Sequence, residues 1–267
     1  MAVNVAALRS QLETALARRV PAPFAPRRVQ IETIPFNIPE IDQLTGGLPL
    51  GGLTEILGPL SSGRATLLLS ALASRSAHGH ACALVDGRDT FDPYSAEAAG
   101  VNLERLLWVR CRNLDQCLQA TDLLLQGGGF GLIALDLSVL PPQTVRYVPL
   151  NVWFRFRRAV ENTSTIFLLL DQESNAGSCA SLVLRLGFAP SRWVAPQTQQ
   201  MTFPGNSSAC LFDGSQIQVE LARSRLKSAS GGHKLQSFER INGASLAANF
   251  RTKPKWSDFR QTVIKTK

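Results

Sequence analysis

From about Gly46 to Leu170 the chain alternates short apolar runs with stretches of helical period, and few folds accept that order. The runs at 53–57, 81–86, 106–110, 132–136 and 165–170 are five or six residues rich in Leu, Ile, Val and Ala, each bounded by polar or glycine-containing turns. Helical spacing fills the gaps at 66–77, 113–126 and 151–161. Strands that are apolar on both sides and separated by helices predict a parallel sheet covered on each face, an α/β architecture. After about residue 180 the helical period fades, and 181–186 and 216–221 read as antiparallel strands added to one edge. The segment 151–161 carries Trp153, Phe154, Arg155, Phe156 and Arg158. An aromatic and basic mixture can stack bases, but Val152, Trp153, Phe156 and Val160 share one helical face with Arg155 and Arg158 away from it, so a buried stripe is expected.

The ends differ from this middle. Val5, Leu8, Leu12 and Leu16 recur at helical spacing, so residues 1–20 are expected to hold an amphipathic helix whose apolar face needs a cover, here or on a neighbour. Pro21, Pro23 and Pro26 make 21–31 an extended linker. A core is expected over 32–242 and a loosely ordered basic tail over 243–267, with Arg251, Lys253, Lys255, Arg260, Lys265 and Lys267. The formal net charge of +8 suits a polyanionic partner; a solvated tail and an arm that touches DNA or an acidic protein are the competing readings. Five cysteines without a C-x-x-C pair suggest reduced thiols rather than a disulfide framework or a zinc site. Arginines interrupt the N-terminus and no run is long enough to span a bilayer, so a cytoplasmic protein without membrane contact is expected.

Between the first strand and the first long helix lies Gly58-Pro59-Leu60-Ser61-Ser62-Gly63-Arg64-Ala65. A phosphate loop reads G-x-x-x-x-G-K-[ST]: backbone amides and a helix N-terminus cradle phosphates, the lysine reaches the outer ones, and the hydroxyl holds magnesium. Both glycines are in place. Arg64 stands at the lysine position, where a broad planar fork does not fit a slot shaped for an ammonium, and Ala65 offers no ligand to a metal. Thr66, one position late, is turned by about 100° and should point elsewhere. An ordinary strand-to-helix turn is the competing reading. Asp136 and Asp86, each ending an apolar strand, favour a ligand crevice at the strand ends.

The ordered series Gly46-Gly-Leu-Pro-Leu50, Glu55-Ile-Leu-Gly-Pro-Leu-Ser-Ser-Gly63, Val85-Asp86 and Asp92-Pro93 resembles the RecA recombinase core, closely over about 32–172 and more weakly to about 240. In size, degenerate loop and basic tail the chain is most similar to the ImuA family, RecA-related accessory proteins of error-prone translesion synthesis. The resemblance implies a RecA-like P-loop core: a mostly parallel twisted sheet with helices on both faces and antiparallel edge strands. It also implies roles. Arg88 falls where the recombinase has its catalytic glutamate, and a permanently protonated guanidinium is no general base; Asp89 is a displaced alternative. Gln172 falls on the nucleotide-sensing glutamine, and Arg223 and Arg225 fall on lysines that reach a neighbouring subunit. The connections expected to grip single-stranded DNA, 138–150 and 173–180, are short.

These readings lead to one expectation and two alternatives. The expectation is a non-catalytic adaptor of the bacterial DNA-damage response, with a degenerate nucleotide site at Gly58, Pro59, Ser61, Ser62, Gly63, Arg64, Ala65, Asp136 and Gln172, holding ATP or ADP without turnover and no resident metal. Its expected partners are RecA or the RecA filament, met through Leu8, Leu12 and Leu16 and through Arg223 and Arg225, and a Y-family-polymerase-like protein or DNA, met through the tail. The alternatives are a DNA-stimulated ATPase of recombinational repair and a RecA-like cell-division inhibitor.

Overall fold

The computed structural model describes residues 32–187, 191–194, 211–226, 240–241 and 245–252. The chain divides into two units, Met1–Ile31 and Glu32–Lys267. The first lies outside the described residues, and with it the N-terminal helix, Leu8, Leu12, Leu16 and the proline linker.

The described residues open with a two-stranded antiparallel pair, β1 (Thr33–Ile34) and β2 (Leu48–Pro49), around helix α1 (Pro39–Thr45). The alternating region follows in order: β3 (Leu53–Leu57), α2 (Arg64–Ala77), β4 (Cys82–Asp86), α3 (Pro93–Ala98), β5 (Leu106–Arg110), α4 (Leu114–Gly127), β6 (Leu132–Asp136), α5 (Pro142–Arg146), α6 (Leu150–Val160) and β7 (Ile166–Asp171). Then come β8 (Leu182–Leu186), β9 (Ser191–Val194), β10 (Leu211–Ser224), β11 (Arg240–Ile241) and β12 (Ser245–Thr252). A ten-stranded sheet runs β11-β12-β10-β8-β3-β7-β6-β4-β5, with β9 beside β10. From β8 to β5 the pairings are parallel; β10 pairs antiparallel with β8, β9 and β12.

The two faces of the parallel strands feed two cores. Leu84, Leu132, Ala134, Leu168 and Leu170 join Leu67, Leu68 and Leu72 of α2 and Phe36 and Ile41. Ala83, Val85, Ile133, Phe167 and Leu169 join Cys117 and Leu125 of α4 and Trp153, Phe156 and Val160 of α6. Successive residues therefore serve opposite layers, the period of a strand buried on both sides. The expected stripe of α6 is the buried one: Trp153 and Phe156 are fully enclosed, and Phe156 meets Phe167 edge-to-face at 5.7 Å. Arg155 turns outward and pairs with Asp122 of α4 at 2.9 Å.

Two expectations change. The strand read at 181–186 as antiparallel is parallel to β3 and antiparallel to β10, so β8 is where the sheet changes sense. The stretch 245–252, read as loosely ordered tail, is β12, paired with β10 from Ser215↔Thr252 to Leu221↔Leu246. Its alternation explains why: Ala248 and Phe250 turn into the core while Asn249 faces out, a pattern hidden in sequence by the surrounding polar residues. Arg251 thus sits on a strand; the basic residues beyond Thr252 lie outside the described residues. Among the described residues no helix is long and apolar enough to cross a membrane.

Candidate nucleotide site

A cleft of about 520 Å³ opens at the C-terminal ends of β4, β6 and β7 and along the first turns of α2. Of the residues expected from sequence, Ser61, Gly63, Arg64, Ala65 and Asp136 border it. Thr66, expected to point elsewhere, borders it as well, because the cleft follows a stripe along α2 as far as Leu69 rather than ending at the loop. Phe91, Asp92, Ser138, Ser215, Ile217 and Thr252 were not expected there. Asp92-Pro93 carried a signal for one of them: Asp92 caps α3, accepting the amides of Tyr94 at 3.2 Å and Ser95 at 3.0 Å. For the β10 and β12 residues sequence offered none, since they arrive from the far end of the chain.

The loop has the backbone of an anion cradle. Ser61 has φ 61° and Gly63 φ 94°, and the first amides of α2 have no partner within their helix. Gly63 is required on two counts: its φ is left-handed, and a Cβ there would strike the side chain of Ile217 on β10. Ser62 is buried and its Oγ lies against Gly58 beneath the loop rather than in the cleft. A phosphate suits this backbone. Magnesium suits it less: Ala65 brings no hydroxyl, and among the described residues no group of three acidic, histidine or cysteine side chains could hold a metal.

Arg64 does not reach outward. It is 6% exposed, and its Nη1 donates to the carbonyl of Asp171 at 2.7 Å, with the carboxylates of Asp136 and Asp171 close enough to favour its charge. Burial pulls its pKa down against that attraction, though guanidinium remains protonated throughout the physiological range. Asp136 is raised above the usual carboxylate range, first by burial and also by Asp86 across the β4–β6 register, while Ser138 and Arg64 act in the opposite sense. Asp171 is raised to about 6, by burial first and by Glu55 among the lesser causes. Its oxygens accept from the Gln172 amide at 2.7 Å and Asn175 Nδ2 at 2.8 Å. Glu55, fully buried on β3, accepts from Ser174 Oγ, Asn175 N and Ala176 N between 2.8 and 3.0 Å, so the connection after β7 is pinned to the sheet.

On the other wall the carboxylate of Asp86 accepts the amides of Arg88, Thr90 and Phe91 at 3.1, 2.8 and 2.9 Å and the indole of Trp108 at 3.3 Å. That set folds 87–91 into a turn and leaves Arg88 exposed, off the cleft. Asp89 is exposed too, at φ 60°, and pairs with Arg110 at 3.7 Å instead of lining the cleft. Gln172 reaches from its strand end to the connection after β6, its Nε2 donating to Ser138 O at 2.9 Å, and does not border the cleft. Arg223 and Arg225, at the end of β10, donate to the carbonyls of Gly177 and Ser178 and are exposed apart from those bonds. The expected constellation therefore separates: Ser61, Gly63, Arg64, Ala65 and Asp136 border the cleft, whereas Gly58, Pro59, Ser62, Gln172 and the arginines at 88, 223 and 225 do not.

Comparison with known proteins points the same way as the fold. Residues 24–145 match the RecA N-terminal domain. The RecA proteins of Brucella anthropi and Bartonella quintana are each 37% identical to this chain over 118 residues, covering 43% of it and 33% and 34% of theirs. RecA of Psychrobacter cryohalolentis is 39% identical over 99 residues, 37% of this chain and 28% of that protein. This part of the chain is RecA-like, and the match spans about a third of the length of these relatives.

Proposed function

We propose that the protein is a RecA-like accessory factor of the bacterial DNA-damage response that has given up nucleotide hydrolysis, closest in kind to the ImuA family of translesion-synthesis proteins. One observation carries the reading: the side chain at the phosphate-lysine position is spent inside the protein, with Arg64 tied to Asp171 O at 2.7 Å. Ala65 and the outward-facing Arg88 support it, since a metal hydroxyl and a general base are each worth several kcal/mol of transition-state stabilisation. ATP or ADP then occupies the loop without being cleaved. The partners are RecA or its filament, through the apolar N-terminal face and Arg223 and Arg225, and a Y-family-polymerase-like protein or DNA, through the basic tail. This working place is the cytoplasm.

A phosphate-release assay on the full chain, with and without single-stranded DNA, is expected to stay at background. Magnesium-dependent release that disappears in Asp136→Ala would instead make the protein a DNA-stimulated ATPase. On the partner side, replacing Leu12 and Leu16 by Asp is expected to abolish co-purification with RecA; undiminished recovery removes the N-terminal face from the proposal.

A further inference from the structure

We propose that the cleft takes a nucleoside diphosphate without a metal ion, in preference to a triphosphate; this rests on the reading of the loop as a nucleotide site and names its ligand. A phosphate loop works through two sets of groups. Backbone amides hold the inner phosphates, whereas a lysine and a magnesium-bearing hydroxyl serve the outermost one. In this protein the first set is present and the second is replaced.

The inner set is made by backbone alone. Ser62 turns its amide onto Pro59 O at 3.3 Å, and Thr66 and Leu67 turn theirs onto Gly63 O at 3.0 and 3.3 Å. The amides between them, of Gly63, Arg64 and Ala65, meet no acceptor among the described residues, as the opening donors of a helix do. All three residues border the cleft. Successive free amides at a helix start suit one phosphate through charge-assisted hydrogen bonds. None of these donors depends on the side chains at 64 and 65, so the substitutions there leave this half of the loop intact.

The outer set has lost its cations. Arg64 turns Nη1 onto Asp171 O at 2.7 Å, and Arg88 stands off the cleft. Of the described residues that border the cleft, Asp86, Asp92 and Asp136 are acidic and Arg64 alone is basic. A third phosphate therefore approaches acidic strand ends with little to offset its charge, and like charges brought together are costly. Magnesium finds no place to mask them. Ala65 brings no ligand, and Asp86 already accepts the amides of Arg88, Thr90 and Phe91 and the indole of Trp108. Asp136 Oδ1 accepts the Ser138 amide at 2.9 Å. A hard cation needs oxygens that these donors hold. Beyond the loop, Leu68, Leu69 and Phe91 give the cleft an apolar wall on which a nucleoside can shed water, and its volume of about 520 Å³ is of the size that small-molecule sites have.

Titration calorimetry of the full-length chain with ADP, ATP and AMP, each in excess magnesium and in EDTA, tests the assignment. ADP is expected to bind equally well in both buffers. It should bind about tenfold tighter than ATP in EDTA, and tighter than AMP, which lacks the phosphate that the amides hold. Writing the motif back, Arg64→Lys with Ala65→Thr, is expected to raise ATP affinity about tenfold in magnesium only; if that variant does not fold, the unaltered chain decides. ATP bound as tightly as ADP, or ADP that needs magnesium, overturns the metal-free diphosphate site and leaves the nucleotide reading standing. AMP bound as tightly as ADP overturns the role given to the amides, and an ATP affinity that the double variant does not move overturns the role given to positions 64 and 65. Binding of none of the three overturns the nucleotide reading as well.

Discussion

The two walls of the cleft reach order by opposite means. On the loop side a cation goes inward: Arg64 is buried, donates to Asp171 O at 2.7 Å, and faces two carboxylates. On the β4 side an anion goes inward: Asp86, 2% exposed, gathers three amides and an indole, while the arginine at 88 is left in water. Two substitutions that look alike in sequence, arginine at 64 and arginine at 88, therefore have different physical standing. One has become part of the interior; the other is a surface charge that hydrogen-bonds the wall only through its backbone.

Four measurements break or sharpen that contrast. Arg64→Ala removes the donor to the Asp171 carbonyl and takes the nearby cation from the Asp136 and Asp171 carboxylates, so urea unfolding should show a loss of about 4 kcal/mol, in the range for a broken buried charge contact. A loss below about 1 kcal/mol would place Arg64 with the surface charges and erase the difference between the walls. Asp86→Ala deprives four donors of their acceptor and is expected to cost about 3 kcal/mol in the same assay. Asp171 gives a pH signature. Its folded pKa, about 6, lies above the ordinary carboxyl value of 3.8, so the stability it contributes is complete below the unfolded pKa and is lost as pH rises through 6. Wild-type stability relative to Asp171→Asn should thus fall by about 2 kcal/mol from pH 4 to pH 7, and a rise would mean that Arg64 dominates its titration. The smallest effect is Arg88→Ala, within about 0.5 kcal/mol; a larger change would show that this side chain belongs to the wall after all.

Legibility followed the source of the constraint. Most of the strands from β3 to β7 could be read because burial on both faces leaves apolar runs such as 166–170, β5 because it stays apolar from 106 to 109 although half-exposed, and α6 because Trp153, Phe156 and Val160 keep helical period. The direction of β8 could not: its run Leu182–Leu186 is the same for either sense, and the choice is made by pairing with β3. The strand β12 was missed because it buries only two small residues and one aromatic, Ala247, Ala248 and Phe250, among polar neighbours. For the site, the loop glycines and Asp136 were legible as spacing, and the substitutions at 64, 65 and 88 as chemistry. Arg64 turning inward was not, since that depends on the Asp171 carbonyl, brought beside it by the β3–β7 pairing.

The seat of Ile217 against Gly63 has a consequence for dissection. The RecA-matching stretch ends at residue 145, yet the side chain that closes over its loop belongs to β10. A fragment trimmed to the matching stretch would carry every glycine of the motif and still expose the loop's underside to water, so its behaviour would be a poor guide to that of the whole chain.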